Sequence, residues 1–125
     1  MSVYKKDRMA EDVRREITAI IGELKDPRVA GKLLTVVRIE LAHDLSYGKV
    51  YVSAYDGLET AKTAVEGITH ATGLIRRELS ARLRIRKSPE LKFIADDSVR
   101  AGIELWQNFE KNNTAGGGDD GSDEK

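Results

Sequence analysis

The spacing of apolar residues along this chain switches between three-to-four and two, and the switches set out an ordered series of elements. From Asp7 to Leu24, the residues Met9, Val13, Ile17, Ile20, Ile21 and Leu24 recur at helical spacing, which predicts an amphipathic helix with one buried stripe. Lys25-Asp26-Pro27-Arg28 should end it, because proline lacks the amide donor and disfavours helical geometry in the residue before it. Two alternating segments follow. In Thr35 to Ala42, Val37, Ile39 and Leu41 share one face while Arg38 and Glu40 share the other; in Lys49 to Tyr55, Val50, Val52 and Ala54 oppose Tyr51, Ser53 and Tyr55. The residues from His43 to Gly48 suit a hairpin connection.

After Asp56-Gly57, the residues Ala61, Val65, Ile68, Thr72, Ile75, Leu79 and Leu83 hold a helical spacing, with Gly73 as its interruption. Glycine there costs about 1 kcal/mol relative to alanine, so the run predicts a long helix kinked at Gly73. Pro89 leads a third alternating segment, Leu91, Phe93 and Ala95. Asp97 or Ser98 is placed to cap a last helix whose apolar side is Val99, Ile103, Trp106 and Phe109. The resulting order is helix, strand, strand, helix, helix, strand, helix. Half-polar strands imply an α+β fold, a three-stranded sheet with helices on one face and the other face at least partly open.

A chain of 125 residues is long enough for one domain with its own core, here expected over residues 1–113. It has no cysteine, which excludes a disulfide framework, a thiolate metal site and a thiol nucleophile. No apolar signal core opens the chain, and no run reaches the roughly 18 apolar residues of a membrane span, so a soluble, cytoplasmic protein is expected. The last twelve residues, TAGGGDDGSDEK, have no hydrophobic period; residues 114–125 are expected to be a disordered acidic tail.

That tail hides a charge asymmetry. The whole chain has 21 basic and 21 acidic residues; setting aside Asp119, Asp120, Asp123, Glu124 and Lys125 leaves 20 basic against 17 acidic. Between Ala71 and Lys92 the excess is sharper, with Arg76, Arg77, Arg82, Arg84, Arg86, Lys87 and Lys92 set against Glu78 and Glu90 alone. A basic cluster beside a break in a helix suits a surface that meets phosphate. Lys5, Lys6, Arg8, Arg14 and Arg15 form a second basic group, and Lys25 and Arg28 flank a helix end, where they could cap carbonyls or touch RNA.

The order of elements, without the last helix, resembles the type II KH topology of RNA-binding proteins. KDPR at Lys25 to Arg28, DLSYGKVYVS at Asp44 to Ser53 and PELKFIADDS at Pro89 to Ser98 resemble the recurring segments of the ribosome-binding factor A family. Ala71-Thr72-Gly73 matches the alanine-any-glycine kink that replaces the KH glycine loop in that family, and the resemblance spans nearly all of residues 5–110. It implies a noncatalytic factor without a cofactor or small-molecule substrate. It also implies binding to the free, maturing 30S subunit and its 16S rRNA, in support of late 5′ processing, notably in the cold. A monomer with no membrane partner is expected.

The residue chemistry is compatible with that implication. Ala71 and Gly73 keep side chains small at the bend, which permits either close approach of backbone to nucleic acid or tight crossing of two helices. Thr72 lies on the apolar spacing, leaving packing and a hydroxyl contact both open. Arg76, Arg77, Arg82, Arg84, Arg86, Lys87, Lys5, Lys6, Arg8, Lys25 and Arg28 are the candidate RNA contacts. His43 and His70 are the only histidines and fall into no nucleophilic triad, and Asp96-Asp97 is better suited to capping than to a metal. A general KH-like RNA-binding or protein-docking module, working through an edge strand or the Trp106 helix, is the alternative.

Overall fold

Helix α1 (Val3–Glu23) buries Val13, Ile17, Ile20 and Ile21, the stripe expected from their spacing, and stops ahead of the Pro27 turn. In that turn the Asp26 carbonyl accepts the amides of Val29 and Ala30, both at 2.8 Å, and Val29 drops into the core. The protein is represented by a computed structural model that describes the backbone of residues 3–115 and the side chains of residues 7–112.

Strands β1 (Leu34–Leu41) and β2 (Tyr47–Ala54) pair antiparallel, and β3 (Glu90–Asp96) joins β2 in parallel, so β2 is central. A parallel neighbour requires a crossover, supplied here by α2 (Leu58–His70) and α3 (Thr72–Leu83). With α1 they cover one face of the sheet, where Val36, Val50, Val52 and Phe93 meet Ile17, Ile20, Ile68, Ile75 and Leu79. This is the α+β arrangement expected from the period switches, in the type II KH order that the chain resembles, followed by helix α4 (Ser98–Ala115).

Four local features differ from the sequence reading. The first lies in β1, where Val36 pairs with Val52 and Arg38 with Tyr51, leaving Val37 as an extra residue. This bulge moves Val36, rather than Val37, onto the inner face with Ile39 and Leu41. Plain alternation cannot reveal it, because three consecutive β-branched or apolar residues fit either register.

The second is the helix break, which lies at Ala71 rather than Gly73. Ala71 leaves helical geometry at φ −95° and ψ 13°, while Gly73 sits within the first turn of α3. The third is the start of α4: the Asp96 carboxylate accepts the Ser98 amide at 2.7 Å, and the buried Ser53 hydroxyl accepts the Val99 amide at 3.2 Å. The side-chain acceptors are thus Asp96, one of the Asp96-Asp97 pair suited to capping, rather than Asp97 or Ser98, and Ser53 of a central strand, a long-range partner that no local pattern encodes.

The fourth is α4 itself. It runs through Ala115, two residues into the segment expected as a tail; residues 116–125 lie outside the described residues. Ile103 is half-buried, but the apolar residues after it face outward, with Leu105 72%, Trp106 59% and Phe109 56% exposed and the Trp106 and Phe109 rings stacked at 5.9 Å. Trp106→Ala is therefore expected to change stability by no more than about 1 kcal/mol, against about 3–5 kcal/mol for a buried tryptophan. Calorimetry decides it: a loss in the larger range would mean that the helix packs on the domain. Among the described residues, no helix is long and apolar enough to cross a membrane.

Candidate nucleic-acid interface

The elbow between α2 and α3 is built from a single non-helical residue. The Ala71 amide donates to the Ile68 carbonyl at 3.0 Å, the Ala71 carbonyl accepts the Ile75 amide at 2.9 Å, and the Thr72 hydroxyl donates to the Thr69 carbonyl at 2.6 Å. No side chain caps the start of α3. The first amides of a helix have no intrahelical acceptor, so those of Thr72, Gly73 and Leu74 remain available to an anion. Thr72 turns its hydroxyl back onto α2, which uses its donor hydrogen locally.

Gly73 is exposed, and a Cβ built on it would meet nothing within 4 Å. It is not there to let two helices cross. What its hydrogen leaves open is the outer surface of α3, over which a partner can reach the backbone. On a helix, positions 73, 77 and 84 fall on one face, so Gly73, Arg77 and Arg84 form an exposed stripe roughly 16 Å long. Arg84 ends the helix in the left-handed region at φ 55°, a conformation that costs a non-glycine residue about 1 kcal/mol or more. Arg86 and Lys87 follow in the loop, both exposed.

The eleven basic residues singled out from the sequence divide sharply. Arg76 turns inward: its guanidinium donates to the carbonyls of Pro89 and Ser88, both at 3.0 Å, and the buried Ser88 hydroxyl donates to the Arg76 carbonyl at 2.6 Å while meeting the Ser80 hydroxyl at 2.6 Å. Arg82 lies among three carboxylates, Glu23 at 2.9 Å, Glu78 at 3.4 Å and Glu16 at 3.8 Å, and so fastens α3 to α1. Arg28 grips Asp26, donating at 2.7 Å and 3.0 Å. That guanidinium, with the Arg28 amide, holds the Asp26 carboxyl at about 2 rather than 3.8; the pairing is whole above the ordinary value and is lost as pH falls towards the lowered one.

Arg8, Lys25, Arg77, Arg84, Arg86 and Lys87 are exposed and make no hydrogen bond or ion pair among the described residues. The side chains of Lys5 and Lys6 lie outside the described residues. A hollow of about 340 Å³ is lined by Met9 and Val13 of α1 together with Ile85, Arg86, Lys87 and Pro89. It brings the beginning of α1, next to Arg8, beside the end of the arginine run. Of the basic residues, Arg86 and Lys87 line this opening, a place in the fold that sequence spacing leaves undetermined.

Sequence reasoning missed two elements of this region. Gly67 lies against the Pro27 turn, where an added Cβ would sit 2.8 Å from a Val29 methyl carbon. Its signal, a second glycine in the long helical run, is as plain as that of Gly73. A serine before a proline reads as loop in sequence, whereas the burial of Ser88 follows from the Arg76 and Ser80 bonds.

The family model for ribosome-binding factor A matches residues 5–109. The chain is 41% identical over 112 residues to the ribosome-binding factor A of Treponema denticola, covering 88% of this chain and 84% of that one. With the Moorella thermoacetica protein it shares 43% over 99 residues, 78% of this chain and 81% of the other. The crystal structure of ribosome-binding factor A from Thermus thermophilus superposes with a TM-score of 0.63 at 31% identity, over 72% of this chain and 93% of that one. A Thermus thermophilus ribosome binding factor A homology model, fitted into the cryo-EM map of a 30S complex, gives a TM-score of 0.53 at 28% identity over 75% and 93% of the two chains. By its sequence over residues 5–109 and by its fold, this chain belongs to the ribosome-binding factor A family.

Proposed function

We propose that this protein is a noncatalytic, cytoplasmic assembly factor that binds the free, maturing 30S subunit as a monomer and contacts 16S rRNA through the α2–α3 elbow. In that role it supports late maturation and 5′ processing of 16S rRNA, growth in the cold included. The observation that carries the reading is the elbow's composition: uncapped amides at the start of α3, an exposed Gly73, and the unpaired Arg77, Arg84, Arg86 and Lys87 beyond it. Amides and small side chains allow close approach to a phosphate, and the arginines add counterion release. The related Thermus protein's fit into a 30S complex supports the same partner. Arg8 and Lys25 extend the basic surface, while Arg28, Arg76 and Arg82 act by holding its elements in place.

Two variants test the elbow. Gly73→Leu is expected to keep or raise the thermal midpoint, because glycine is the poorer helix former by about 1 kcal/mol and the space is open. It should nevertheless weaken co-sedimentation with free 30S subunits. Arg84→Gln/Arg86→Gln/Lys87→Gln should weaken RNA binding and reduce the slope of log K against log salt by about 2 to 3, at 0.7–0.9 for each phosphate contact. Unchanged binding in both would remove the elbow as the interface. Wild-type protein spread through every RNA-containing fraction, rather than concentrated with free small subunits, would favour a general RNA-binding module.

A further inference from the structure

We propose that the open face of the sheet is a second RNA surface, one that takes an unpaired, single-stranded segment on the side opposite the elbow. The inference rests on the reading that the partner is RNA, but on residues that the elbow does not use.

The bulge at Val37 is the starting observation. Without it, β1 would present Val37 opposite Tyr51; with it, Arg38 takes that place, and its guanidinium lies 4.0 Å from the centre of the Tyr51 ring. Glu40 anchors both members, lying 3.3 Å from the Arg38 guanidinium and accepting the Tyr51 hydroxyl at 3.1 Å. The result is a guanidinium held over a ring on the solvent side of the sheet. Unpaired bases stack on such planes, on aromatic rings and guanidinium groups alike.

The next row of the same face carries the charge. Lys49 pairs with Glu40 on one side and with Lys92 on the other. Two lysines on adjacent strands sit roughly 5 Å apart at the backbone, and like charges in that relation are unfavourable. Glu40 is engaged by Arg38 and Tyr51, and neither lysine makes an ion pair among the described residues. Glu90, exposed two residues before Lys92 on the same face, does not pair with either lysine, so the two ammonium groups are left for an anion to bridge. Tyr47, 37% exposed and two residues along, completes a ring, cation, ring series with Lys49 and Tyr51 down the central strand.

The same face argues against other occupants. Ile94, half-buried, is the aliphatic side chain in the Arg38–Tyr51 row, too little apolar area for the core of a protein interface. A duplex keeps its bases stacked internally and offers no ring faces to Tyr47 or Tyr51. Helix α4 bounds the surface at one end, where its first turn covers Ser53 and Arg100 lies 5.9 Å from the Tyr55 ring.

The test uses the full chain and a fluorescein-labelled uridine decamer carrying 5-iodouridine for photocrosslinking. Lys49→Gln/Lys92→Gln should lower affinity and reduce the salt slope by about 1.4, at 0.7 for each contact to a single strand. Tyr47→Ala should weaken binding by roughly fivefold or more, the lower end for loss of one stacked base. Crosslinks should map to Tyr47 and Tyr51, and melting curves of the variants should match the wild type. If the lysine variant binds the decamer with wild-type affinity and slope while the Arg84, Arg86, Lys87 variant does not, the sheet surface is overturned and the elbow stands. If the lysine variant keeps the decamer but loses 30S association, the face meets a protein and the RNA inference fails. If neither variant alters decamer or 30S binding, both readings fall.

Discussion

Gly67→Ala is expected to lower the thermal midpoint by on the order of 5–15 °C, the equivalent of about 1–3 kcal/mol for forcing a methyl group into packed space. The added Cβ would stand 2.8 Å from a Val29 methyl carbon and 3.2 Å from both the Arg28 Cβ and the Asp26 carboxyl carbon. None of these can retreat cheaply. Val29 is buried in the core, and the turn that carries it is closed by hydrogen bonds from the Val29 and Ala30 amides to the Asp26 carbonyl and by the Arg28 grip on the Asp26 carboxylate. Gly22→Ala serves as the comparison, because the same added carbon there meets nothing within 4 Å of a helical position. That variant should gain about 0.5–1 kcal/mol. A midpoint for Gly67→Ala equal to the wild type would mean that the Pro27 turn is free to move off α2, and with it Lys25 and Arg28.

Arg76→Gln and Arg77→Gln, neighbours of identical charge, should give opposite results. The first strips two donors from the Ser88 and Pro89 carbonyls beside a buried serine, a loss of about 1–3 kcal/mol. Its thermal midpoint should fall while the salt slope of RNA binding holds. The second removes an exposed, unpaired charge from the α3 stripe, so stability should stay within about 0.5 kcal/mol and the salt slope should drop by about 0.7–0.9. Melting curves and salt titrations on the two proteins decide the matter. A reduced slope for Arg76→Gln with an intact midpoint would show that its guanidinium leaves the Ser88 loop to meet RNA.

This contrast marks the limit of reading a binding site from a charge cluster. Composition and spacing located the arginine run and the elbow, since a basic excess and a glycine in a helical run are visible in any sequence. They could not separate Arg76 and Arg82 from Arg77 and Arg84. Ion pairing depends on which residues lie within a few ångströms: Glu16 and Glu23 of α1, and carbonyls twelve and thirteen residues further along the chain. The open-face stack was illegible for a related reason. A tyrosine and an arginine 13 positions apart meet only because a bulge shifts the register by one.

By itself the sequence determined the order of helices and strands, the inner face of β2 and β3, and the buried stripe of α1, because each follows from a side-chain period that burial must satisfy locally. Tertiary structure alone decided the rest. It chose the β1 register at Val37, moved the helix break from Gly73 to Ala71, and added Ser53 to the cap of α4. It also sorted the basic residues into those that hold the fold and those that face solvent. These outcomes depend on distances between segments remote in the chain, where burial, hydrogen bonding and charge are settled by whichever groups the fold brings together.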